Sequence, residues 1–152
     1  HYETTGPEIY AQTNGGVDYF VAGMGTTGTL MGTARYLKEK NPAVKIVGVE
    51  PVMGHAIQGL KNMTESIVPK IYNPNILDRK EMVEDGEAFE ATRFLAQREG
   101  IFVGTSSGAA VAVALRIARN IDHGTIVVIL PDRGDRYLST MQFRSICAKC
   151  PP

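Results

Sequence analysis

Six consecutive residues, Gly23-Met24-Gly25-Thr26-Thr27-Gly28, carry the spacing GxGxxG. They stand where an apolar run gives way to a helical pattern, the context in which such a turn offers bare backbone N–H groups to an anion. The first N–H groups of a helix lack intrahelical acceptors, and the aligned peptide dipoles add a partial positive charge. A phosphate can therefore bind there without a Lys or Arg. Thr26, Thr27 and Thr29 add hydroxyl donors around the same point, which suits a phosphate monoester with several exposed oxygens better than a pyrophosphate that needs bare backbone. Glu50 ends the next apolar run, where a dinucleotide-binding fold keeps its ribose carboxylate. The loop alone leans towards a monoester and leaves open both a nicotinamide dinucleotide and a glycine turn used only for packing.

A second candidate is Gly104-Thr105-Ser106-Ser107-Gly108, again between a short strand-like run and a helix. A serine there caps the helix, a role worth about 1 kcal/mol; Ser107 is assigned to that role, and Ser106 remains free to meet a ligand. Cys147 and Cys150 form a CxxC without the second pair that a zinc site requires. They read as two thiols on a loose tail. His1, His55 and His123 have no metal-binding spacing, so no metal is assigned.

The elements that must position these loops alternate between strand and helix. Val17–Ala22 is a β-prone run, the glycine turn follows, and a helical pattern continues to about Lys40, where Asn41-Pro42 stops it. Val44–Val49 returns as an apolar, β-branched strand, completing a βαβ unit. From Val52 to Val83 the periodicity fades among Gly54, Gly59, Pro69 and Pro74, which predicts loops and short helices. Gly86–Arg98 is helical with Gly100 as its stop, and Ile101–Val103 is a short strand. Ser107–Arg119 is a helix apolar on nearly every side and so one that needs cover. Thr125–Leu130 is a continuous apolar strand suited to the middle of a sheet with helices on both faces. The pattern predicts an α/β fold, a three-layer parallel-sheet lobe.

Bulk properties narrow the function. A chain of 152 residues, 43% hydrophobic and 21% charged, fits one ordinary globular domain. Sixteen basic residues balance 16 acidic ones, and no Lys/Arg cluster interleaves with aromatics, so nucleic acid is not expected as a partner. No apolar run reaches membrane-spanning length and no leader opens the chain, which predicts a cytoplasmic protein.

Four strings occur in order: Thr4-Thr5-Gly6-Pro7-Glu8-Ile9, Met24-Gly25-Thr26-Thr27-Gly28-Thr29, Gly104-Thr105-Ser106-Ser107-Gly108, and Asp132-Arg133-Gly134-Asp135-Arg136-Tyr137-Leu138-Ser139-Thr140. Together they resemble cysteine synthase (O-acetylserine sulfhydrylase) over essentially the whole chain. The paired threonines of Gly25-Thr26-Thr27-Gly28 resemble the B type, and Gly59-Leu60-Lys61-Asn62-Met63 is similar to B-type members that accept O-phosphoserine. Cystathionine β-synthase, of the same fold, is a less close match. The resemblance implies the tryptophan-synthase-β-like fold, pyridoxal 5'-phosphate (PLP) as cofactor, and a homodimer. It implies that Gly25, Thr26, Thr27, Gly28 and Thr29 surround the PLP phosphate, that Ser106 meets the pyridine nitrogen, and that Pro131 and Asp132 border the ring. Lys61 is a candidate contact to a substrate phosphate, with a solvated surface lysine as the alternative.

The reaction implied is a β-replacement in which an O-activated serine loses its Cα proton and leaving group and then takes up sulfur, a ping-pong scheme. The lysine that carries the cofactor and the loop that holds the substrate carboxylate lie, by this resemblance, in an N-terminal half outside these 152 residues. No catalytic residue is therefore assigned, and the chain is expected to be a C-terminal lobe, folded but inactive alone, that self-associates through the face its companion lobe would cover. Two other readings stay open, a nicotinamide-dependent oxidoreductase domain and a noncatalytic binding module.

Overall fold

A computed structural model describes residues 1–140. The helix α1 (Thr5–Gln12) precedes the strand β1 (Tyr19–Gly23), the helix α2 (Gly28–Lys40) and the strand β2 (Lys45–Pro51). After a long irregular segment come β3 (Arg79–Val83), α3 (Asp85–Phe94), α4 (Thr105–Ala118) and β4 (Ile126–Val128). The strands form one sheet in the order β3-β2-β1-β4, and every pairing is parallel.

Alternation along the central strands divides the core into two layers. Phe20 and Ala22 of β1 and Ile46 of β2 pack with Leu30, Ala34 and Leu37 of α2 and Ile9 of α1. Val21, Val47 and Val49 point the other way, against Ala109, Ala110, Val113 and Ile117 of α4. The apolar helix α4 thus finds the cover its composition demands, between the sheet on one side and α3 on the other. The predicted three-layer α/β architecture is the one observed.

Three elements differ from the sequence expectation. The apolar strand β4 lies at the edge of the sheet and is half-buried, because among the described residues it pairs only with β1. The strand β3 falls where loops were predicted. Its residues Arg79, Lys80 and Glu81 are polar because it is the opposite edge, and charged side chains on an edge discourage pairing with other chains. The run Ile101–Val103 contributes only a single antiparallel bridge, Val103 to Arg133, rather than a strand.

The helix ends follow local chemistry. A reciprocal capping box between Glu84 and Glu87 starts α3, and the chain continues through a π-turn, Leu95–Glu99, to Gly100, which stops it with φ of +68°. No helix among the described residues is long and apolar enough to cross a membrane. Cys147 and Cys150 lie outside the described residues.

Candidate cofactor-phosphate site

Parallel strands send all their C-terminal ends to one side of the sheet. A crevice opens where the chain connections diverge, here between β1, which leads to α2 and β2, and β4 on its other flank. A cleft of about 530 Å³, open to solvent, lies at these ends. Its lining includes Gly25, Thr26, Thr27, Gly28 and Thr29 from the β1–α2 turn, and Ser106 from the first turn of α4. Gly59, Leu60, Ile129 and Pro131 also line it. The two motifs, 80 residues apart in sequence, therefore share one concavity, and each contributes a helix N-terminus to it.

The turn has the local features that an anion site requires. The bond from Met31 N–H to the Thr27 carbonyl, 2.8 Å, lies at the start of the α2 ladder, so the N–H groups of Gly28, Thr29 and Leu30 have no acceptor within the helix. Thr27 itself adopts a left-handed conformation, φ of 64°, an uncommon choice for a β-branched residue. A Cβ on Gly25 would fall 2.5 Å from the Gly59 carbonyl oxygen, whereas one on Gly28 would meet nothing within 4 Å. Gly25 is thus required for the two loops to approach each other, and Gly28 leaves space within the cleft wall.

The hydroxyls are not equivalent. Thr27 Oγ1 is buried without a hydrogen-bond partner among the described residues, a costly condition that a bound acceptor or donor relieves. Thr26 is exposed at the cleft. Thr29 Oγ1 lies 3.1 Å from His1 Nε2, and the same imidazole reaches Thr5 Oγ1 at 2.7 Å, so this hydroxyl already has a protein partner. Amides without an intrahelical acceptor at a helix N-terminus, a buried threonine hydroxyl unpartnered among the described residues and a side-chain-free position at Gly28 fit the phosphate of PLP.

Around the second motif the structure corrects one assignment. The N-cap of α4 is Gly104, with no side-chain capping bond. Ser107 sits inside the first turn instead, fully buried, with Oγ unpartnered among the described residues. Ser106 is nearly buried at the cleft. Pro131 borders the cleft as well. Asp132 is held behind it, where its carbonyl accepts the Gly104 N–H at 3.2 Å and its carboxylate accepts the phenol proton of Tyr137. Burial and that bond push the Tyr137 hydroxyl up to about 12.

Lys61 is exposed and outside the cleft lining; its backbone N–H donates to the Met24 carbonyl at 2.7 Å, beside the glycine turn. Gly59 and Leu60 were not predicted as site residues. The signal available for them was Gly59, a glycine amid irregular sequence, which takes φ of +87° and turns the chain across the mouth of the cleft.

Glu50 is 2% exposed and does not line the cleft. Oε1 accepts the Met63 N–H at 2.7 Å, and Oε2 pairs with Lys80 Nζ at 2.8 Å. The hydrogen bond to Glu50 raises the Lys80 ammonium above its ordinary value. With its carboxylate engaged inside the protein, the nicotinamide reading loses the residue that supported it.

Known proteins resemble this chain over most of its length. The chain is 51% identical over 140 residues to cysteine synthase B of Pseudomonas aeruginosa, covering 92% of this chain and 47% of that protein. It is 46% identical over 143 residues to cysteine synthase B of Escherichia coli, covering 94% and 47%. Among solved structures, an O-ureido-L-serine synthase superposes with a TM-score of 0.89 at 40% identity, covering 96% of this chain and 49% of the other. O-acetylserine sulfhydrylase isoform 3 from Entamoeba histolytica gives a TM-score of 0.86 at 37% identity, covering 93% and 45%. The chain spans about half the length of the curated relatives it matches. The family model described as pyridoxal-phosphate dependent enzyme matches residues 1–132, which include both loops of the cleft, and the chain belongs to that family.

Proposed function

We propose that this chain is the C-terminal, phosphate-binding lobe of a cysteine synthase, an enzyme that forms L-cysteine by β-replacement on O-acetylserine or O-phosphoserine with a sulfur donor. The observation that carries this is the single cleft formed by the Gly25–Thr29 turn and Ser106. Support for the reaction comes from relatives named cysteine synthase B at 46–51% identity. The companion lobe, with the lysine that holds the cofactor, is the missing half of the site. Its place is supported by the outer edge of β4, which pairs with no strand among the described residues, and by the exposed Leu130 that follows that strand. A cytoplasmic homodimer is the corresponding assembly.

PLP supplies an electron sink for bond breaking at Cα and Cβ of the amino acid. The chain contributes the anchoring. Amides of Gly28 and Thr29 and the hydroxyls of Thr26 and Thr27 would hold the phosphate dianion, and the dipole of α2 would stabilise its charge. Ser106, which lines the cleft, would offer the pyridine nitrogen a neutral hydroxyl. Unlike a carboxylate, a hydroxyl would not enforce protonation of the ring and would leave the group a weaker electron sink.

The full-length protein, supplied with sulfide and either serine derivative, is expected to release cysteine, while the 152-residue chain alone releases none. Cysteine formation by the isolated chain contradicts the division of the site between two lobes. Lys61→Ala in the full-length protein decides the substrate assignment. A loss of preference for O-phosphoserine over O-acetylserine, on the order of ten-fold for one charge-assisted contact, places Lys61 at the substrate phosphate; an unchanged ratio leaves it a solvated lysine.

A further inference from the structure

The wall formed by Gly59 and Leu60 has almost no regular structure of its own, yet it faces the glycine turn closely enough that Gly25 tolerates no Cβ. What fixes it is a series of bonds made by the three residues that follow. The Lys61 N–H donates to the Met24 carbonyl at 2.7 Å. The buried Asn62 side chain donates to the Pro51 carbonyl at 2.8 Å and accepts the Thr64 N–H at 2.9 Å. The Met63 N–H donates to Glu50 Oε1 at 2.7 Å.

Of these, only the bond to Glu50 depends on a buried charge. Removing a carboxylate from water is expensive unless it is both paired and hydrogen-bonded. Glu50 meets both conditions with partners from different parts of the molecule, Lys80 on the edge strand β3 and Met63 in the cleft segment. An apolar residue would fill the same space at lower cost but would leave the Met63 N–H without an acceptor. The carboxylate thus joins the rigid sheet to the irregular wall.

We propose that Glu50, held by Lys80, is a positioning residue for the cofactor cleft, fixing the Gly59–Met63 segment against the phosphate-binding turn. This deepens the cofactor reading above and rests on it. The residue touches neither cofactor nor substrate, and its effect reaches the site through the wall.

Amide hydrogen exchange and PLP release, both measured on the full-length protein, test the proposal. In Glu50→Ala, exchange at Gly59–Met63 is expected to accelerate on the order of ten-fold or more, while α2 and α4 keep their protection and PLP dissociates faster by a similar factor. Glu50→Gln, whose amide oxygen still accepts the Met63 N–H, is expected to restore both rates to within a few-fold of wild type. Lys80→Ala, on a partly exposed edge strand, carries the same two readouts where Glu50→Ala does not fold, and its rates are expected to fall between those of Ala and Gln at position 50. Unchanged exchange at Gly59–Met63 in Glu50→Ala overturns the proposal, as does faster exchange with PLP release at the wild-type rate. Failure of the wild-type protein to retain PLP overturns the cofactor reading and the positioning role together, whereas the exchange measurement then still reports whether Glu50 holds the wall.

Discussion

Gly25→Ala is expected to weaken PLP binding by about 100-fold, the cost of losing one to two charge-assisted hydrogen bonds. The added Cβ would lie 2.5 Å from the Gly59 carbonyl oxygen. Main chain rather than a flexible side chain stands in the way, so either the glycine turn or the opposing wall must move. Both form the cleft, and their separation sets where the amides point. Gly28→Ala provides the contrast. Its Cβ meets no protein atom within 4 Å, so the melting temperature without cofactor is expected to stay near wild type, while affinity for PLP falls because the methyl group occupies space in the cleft lining. Equilibrium titration of the apo-protein, followed by cofactor absorbance, checks both variants. Wild-type affinity in Gly25→Ala would show that the turn does not hold the phosphate.

The largest expected effect on stability belongs to Gly108, in the first turns of α4. A Cβ there would run into Thr92 Oγ1 and the Ala88 carbonyl oxygen, and would lie 2.8 Å from Thr92 N. These atoms belong to α3, and the Thr92 hydroxyl is already bonded to the Ala88 carbonyl at 2.7 Å. Two helix backbones therefore touch at Gly108, and any side chain pushes them apart. Gly108→Ala is expected to destabilise the chain by about 3 kcal/mol, lowering the melting temperature by roughly 10 °C. Calorimetry measures the shift. A change within 2 °C, about the effect of an ordinary surface substitution, would mean that α3 and α4 are not packed as closely as described.

The legible parts of the fold were those in which local pattern and tertiary role coincide. Val17–Ala22 reads as a strand because apolar residues continue on both faces, and in the observed strand, Tyr19–Gly23, both faces are covered. The glycine turn announced both a strand end and a helix start. Edge strands escaped this logic in opposite ways. Among the described residues β3 pairs on one flank only, and its polar residues show no apolar run, whereas the apolar β4 was expected in the centre and there too pairs on one side only. Composition records how apolar the surroundings of a strand are, not its place in the sheet.

The site was legible to the extent that it is made of backbone. Glycine spacing identified the turn, and paired serines identified the start of α4. The wall at Gly59 and Leu60 was not, since its geometry depends on bonds from Lys61, Asn62 and Met63 to distant partners. Glu50 shows the limit of reading by position. Its place at the end of β2 suggested a ribose contact, and only the bonds to Met63 and Lys80 reveal an inward-facing role. Ser107 is a similar case, a residue of the right type for a cap that lies one turn too deep to serve as one.

The most direct test follows the backbone amides themselves in the full-length protein by nitrogen–proton correlation spectra, titrating the apo form with pyridoxal 5'-phosphate and, separately, with phosphate-free pyridoxal. If the turn grips a lone phosphate dianion, the amides of Gly25–Thr29 shift strongly with the first compound and stay nearly still with the second. Amides that ignore both, or respond equally to each, would contradict it.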